Sequence, residues 1–146
     1  MTMATLIPEQ SDFAAGASVA PRGTGDYLAL EEGLRARLDE LGGLDSGWDG
    51  ESARSIDALA LRVAWSVVEQ ALRAHLPEPE VFPVPDGGVQ LEWSAGPVEL
   101  ELEIEPNGSA VVFVCDDEQA GQRIDGELPG DESRFGLALA RLNAYA

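Results

Sequence analysis

A chain of 146 residues with 27 Asp and Glu against 9 Lys and Arg, and so a formal net charge of −18, has the size of one domain. Its hydrophobic content of 45% is that of a globular protein and argues against disorder along the whole length. Charge of this sign excludes direct nucleic-acid binding through clustered cations and opposes anionic lipid, and no apolar run reaches the roughly 18 residues of a membrane span.

Residues 1–24 have no sustained hydrophobic period and mix Ala, Gly, Ser, Thr and Pro, so they read as a flexible arm on which Leu6, Ile7 and Phe13 are free to dock. A single α+β domain is expected over 25–146. Asp26 is the predicted N-cap of a first helix, in which Tyr27, Leu30, Leu34, Leu38 and Leu41 recur at intervals of three and four up to Gly42-Gly43. Gly33 in its middle costs about 1 kcal/mol relative to Ala, so packing has to hold this helix. A second helix, from about Ser55 to Leu76, is apolar around its circumference except for a stripe of Arg62, Ser66, Glu69 and Arg73. That pattern marks it as the central buried element, ended by Pro77 and Pro79.

From Glu80 onward the helical period gives way to alternation. Val81 to Val84 is a short strand, placed at a sheet edge by its prolines. After the turn Asp86-Gly87-Gly88, Val89, Leu91 and Trp93 alternate with Gln90 and Glu92. Beyond Ala95-Gly96, Val98, Leu100, Leu102 and Ile104 alternate with Glu99, Glu101, Glu103 and Glu105. Asn107-Gly108 is a strong hairpin signal, leading to a more continuously apolar strand from Ala110 to Cys115. Gln122 to Leu128 adds a fifth strand, and Pro129-Gly130-Asp131 opens a last helix carrying Phe135, Leu139 and Leu142. The fold expected is α+β: two N-terminal helices, an antiparallel meander of four or five strands and one C-terminal helix. The helices should cover one sheet face and leave the other in water.

Catalytic chemistry finds little support. The one histidine, His75, stands at a helix end next to no catalytic signature and reads as a partner of the helix dipole. The one cysteine, Cys115, precludes an internal disulfide. It adjoins Asp116, Asp117 and Glu118, whose charges oppose a thiolate, and reads as a small core residue. No catalytic residue, cofactor or metal site is expected, and the chain reads as non-enzymatic. The loop Asp45–Glu51 offers the alternative of a small-ligand or Ca²⁺ site. With Asp45 as the first ligand, Asp49 and Gly50 fall correctly for an EF-hand, but Ile56 stands where the bidentate carboxylate belongs. The other reading of that loop is a tight interhelical turn with Trp48 folded back as a clamp.

All cations are Arg and Lys is absent, as in the product of a GC-rich bacterial gene. The first 20 residues lack the positive and apolar regions of a secretory signal, so a cytoplasmic location is expected. Gly47-Trp48-Asp49-Gly50, together with Pro85-Asp86-Gly87-Gly88-Val89-Gln90-Leu91-Glu92-Trp93 and Pro106-Asn107-Gly108, resembles a pattern of short bacterial proteins of no known activity. The resemblance implies a small α+β domain of bacterial or phage origin and transfers no catalytic residues.

Charge is the most informative feature. Between Ala74 and Gln122 there are 11 acids and no Arg. Glu99, Glu101, Glu103 and Glu105 share one face of one strand at a spacing of about 6–7 Å, inside the Debye length, and Glu92 extends the patch if register allows. A solvated face that blocks aggregation accounts for such a ridge about as well as a functional anionic surface. The functional expectation is an acidic protein-interaction module of antitoxin, immunity, inhibitor or accessory-subunit type. It would engage a basic partner protein through Glu92, Glu99, Glu101, Glu103 and Glu105, with Trp48 as an apolar anchor. A DNA mimic that blocks a nucleic-acid-binding protein is the remaining alternative.

Overall fold

The structure, a computed structural model, describes residues 24–119 and 122–146. The expected N-terminal arm lies outside the described residues except for Thr24. There α1 (Thr24–Gly42) begins, two residues ahead of the expected start, so Asp26 falls in the first turn instead of at the N-cap. Its carboxylate remains at the positive end of the helix dipole. The predicted stripe faces inward: Leu34, Leu38 and Leu41 are buried, and Tyr27 and Leu30 pack against the core.

Helix α2 (Ala58–Arg73) is capped by Asp57, whose side chain accepts from the Leu59 amide at 2.9 Å. Seven of its residues are buried, as its apolar circumference predicts. It stops at Arg73, ahead of Pro77, because His75 adopts a left-handed conformation with φ of 55°. The His75 amide donates to the Leu72 carbonyl at 3.1 Å and the Leu76 amide to the Ala71 carbonyl at 3.0 Å. This is a Schellman ending, with histidine where glycine is usual and Leu76 buried beneath it. His75 therefore terminates a helix by its backbone.

Five strands follow in a meander, β1 (Glu80–Pro83), β2 (Val89–Ala95), β3 (Val98–Ile104), β4 (Ala110–Asp116) and β5 (Gln122–Leu128), all antiparallel and in sheet order β1-β2-β3-β4-β5. Helix α3 (Glu132–Ala144) closes the chain, burying Phe135, Leu139 and Leu142. Val89, Leu91 and Trp93 join Val98, Leu100, Leu102, Ile104, Ala110, Val112 and Leu128 in one core with the helices. Two turns require glycine: a side chain at Gly88 would overlap the Ile104 carbonyl, and Gly96 (φ 57°) lies flat against the Tyr145 ring.

Both sheet edges are occupied from within the chain. Arg37 Nε donates to the Val81 carbonyl at 3.0 Å on β1. On β5, the Glu127 amide donates to Asp131 Oδ2 at 2.8 Å and Arg134 Nη1 donates to the Asp125 carbonyl at 3.1 Å. Such cover suppresses edge-to-edge pairing.

Candidate functional site: the open sheet face

Because the helices among the described residues lie on one side of the sheet, the alternate residues of the strands form a face that none of those helices covers. The strand register arranges them in rows. Glu80, Glu92, Glu101 and Phe113 are successive cross-strand neighbours, and Asp125 ends that row. The next row runs Phe82, Gln90, Glu103, Val111 and Glu127. A third joins Ser94, Glu99 and Cys115, with Arg123 of β5 opposite Cys115. Register thus extends the ridge sideways through Glu92, as expected, and adds Glu80 beyond it. Directly opposed like charges in antiparallel strands, about 4.5–5.5 Å apart at Cβ, are destabilising. The three glutamates of β3 are part of this face, with Glu99 exposed and Glu101 and Glu103 half-buried.

The electrostatic cost is visible at Glu103. Partial burial, and then the charges of Asp86, Glu101 and Glu105, push its carboxyl above the usual carboxylate range of about 4.5. Gln90 Nε2 donates to Glu92 Oε1 at 2.5 Å, which relieves one carboxylate with a neutral donor. Glu105 differs from the others. It lies one residue beyond β3, and its Oε2 accepts from the Ser109 hydroxyl at 2.9 Å, so it braces the Asn107-Gly108 turn as well as adding to the local field.

No ion pair among the described residues joins an arginine to Glu80, Glu92, Glu99, Glu101 or Glu103. Among the described residues, ion pairs join Arg35 to Glu31, Arg37 to Glu40, Arg73 to Glu69, and Arg141 to Asp116 and Glu118. The last pair belongs to the helix side. Asp116, 7% exposed, receives Arg141 Nε at 2.9 Å and Nη2 at 2.7 Å, and Tyr145 donates to Glu118 at 2.5 Å. The hydrogen bonds to Asp116 hold the Arg141 guanidinium in its charged form even more firmly than usual, and the bond to Glu118 pushes the Tyr145 phenol up.

The face is concave. A hollow of about 350 Å³ is lined by Glu78, Glu80, Glu92, Glu99, Glu101, Phe113 and Cys115 among others. Cys115, expected in the core, is instead half-exposed here, because pairing with Glu99 puts it on the outer face while Asp116 turns inward. Val111 and Phe113 share that outer line of β4. The more continuously apolar run from Ala110 to Cys115 does not by itself single out Val111 and Phe113 as outward-facing. Counting back through the Asn107-Gly108 hairpin would have set Val111 opposite Glu103.

Trp48 is not part of this face. It sits in the α1–α2 connection, packs against the core and donates from Nε1 to the Arg54 carbonyl at 2.9 Å. In the same loop, Asp49 Oδ1 accepts from the amides of Glu51 and Ala53 at 2.9 and 3.2 Å, so its carboxylate organises the turn. Among the described residues, no group of three His, Cys, Asp or Glu is placed to hold a metal ion, this loop included. Nor is any helix among them long and apolar enough to cross a membrane. The chain matches no family model, no curated protein and no solved structure.

Proposed function

We propose that this protein is a non-enzymatic interaction module that binds a basic surface of a partner protein through its open sheet face, as an antitoxin, immunity protein, inhibitor or accessory subunit does. The observation that carries the reading is the cross-strand row Glu80, Glu92 and Glu101, flanked along β3 by Glu99 and Glu103 and joined, among the described residues, by no ion pair to Arg. Like charges held in adjacent strands lower the stability of the free protein and are relieved when cations arrive, so binding energy and folding energy act in the same direction. The field of such a face also steers a basic partner during encounter. Trp48, committed to the interhelical loop, is replaced as apolar anchor by Phe113 and Val111.

Co-purification from the organism that encodes the chain tests this. The Glu92→Arg/Glu101→Arg variant should lose a basic partner that the wild type retains. Glu32→Arg/Asp39→Arg changes the net charge equally on the exposed side of α1 and should keep it. Equal retention by both variants would remove the sheet face as the binding surface. Competition by duplex DNA for the captured partner would turn the reading toward a DNA mimic.

A further inference from the structure

Resting on that reading, we infer that the partner's docking element is a basic amphipathic α-helix lying along β4, its apolar stripe on Val111 and Phe113 and its cations on the carboxylates of the neighbouring strands. The outer face of β4 is an apolar line, half-exposed at Val111, Phe113 and Cys115. In register on one side stand Glu103, Glu101 and Glu99 of β3; on the other stand Glu127 and Asp125 of β5, with Arg123 opposite Cys115. Glu103 and Glu127 thus border Val111 on both sides, and Glu101 borders Phe113 on the β3 side, which centres the site on these two.

The dimensions suit a helix. Strands are spaced about 4.8 Å apart, so the borders on β3 and β5 are about 10 Å apart, close to the 10–12 Å diameter of a helix with its side chains. Glutamates on β3 recur every 6.6–6.8 Å or so, and helix positions four residues apart recur every 6 Å or so, so one row of cations meets the β3 border in step. Other occupants fit less well. An added strand finds backbone groups of both edges already engaged by Arg37, Asp131 and Arg134. A second copy of this chain, face to face, would set glutamates against glutamates.

The test uses a labelled synthetic peptide of about 14 residues, some 21 Å as a helix, with Leu on one stripe and Arg on its flanks, beside a scrambled peptide of identical composition. The intact protein should bind the amphipathic peptide at least about tenfold more tightly than the scrambled one, and Phe113→Ala should weaken binding by about tenfold. On the unsubstituted protein, amide chemical shifts should move along β4 and β3 and stay still on α1 and α2, a result that needs no variant to fold. Equal affinity for the two peptides would overturn the helix while leaving the acidic face in place. Shifts confined to the helices, or binding unchanged by Glu101→Arg, would overturn the face itself.

Discussion

Leu102 and Glu103 are consecutive residues of β3, yet one is fully buried beneath the helices and the other faces the open side of the sheet among like charges. The same backbone hydrogen bonds hold both. One face of the sheet collects apolar area and supplies the free energy of folding, while the other spends a little of it on a charge pattern that folding does not need. On the function proposed above, a single sign in register across three strands is there for the basic surface it meets.

The sharpest way to break this contrast is to cut into each side. Leu102→Ala should cost about 2–5 kcal/mol, as large-to-small changes at fully buried sites do, read from the denaturant midpoint at unchanged slope. A loss well under 1 kcal/mol would mean that the helix side is not the stabilising one. A smaller effect is expected at the Arg141–Asp116 ion pair on that side. Arg141→Met leaves the Asp116 carboxylate, 7% exposed, without its guanidinium, and should lower the thermal midpoint. Arg141→Met/Asp116→Leu should recover part of the loss, because an unpaired buried charge costs more than an apolar pair of similar volume. A double variant no better than the single would show that Asp116 does not depend on Arg141.

How much of this was legible beforehand follows from the range of each interaction. The strict alternation from Val98 to Ile104 displayed both faces of β3, since a period of two has one interpretation on a half-buried strand. The stripe of α1 and the apolar circumference of α2 were equally plain. The end of α2 was not, because a left-handed His75 carries no glycine to announce it. Cys115 was misplaced, and Phe113 not singled out, because β4 is apolar on both sides, and only its pairing with β3 tells which residues face outward. The partner of Asp116 lies 25 residues away on α3, and Arg37 reaches Val81 across 44 residues. Contacts of that separation leave no local pattern.

The smallest predicted effect separates the two faces by sign. Glu103→Gln removes a charge that sits beside Asp86, Glu101 and Glu105, so it should raise stability at neutral pH by a few tenths of a kcal/mol, where Leu102→Ala lowers it. Since the folded-state carboxyl titrates above its ordinary 4.5, the wild type binds that proton more tightly when folded. Its stability from this group is therefore fully present below the ordinary value and is lost as pH rises through the raised one. The advantage of Glu103→Gln should accordingly be greatest at neutral pH and shrink as pH falls toward 4.5. It should shrink also with added salt, which screens the neighbours. Comparing the two proteins at each pH cancels the other carboxylates they share. An advantage that instead grows on acidification would mean that the ridge is relieved in the free protein and holds nothing in reserve for a cationic partner.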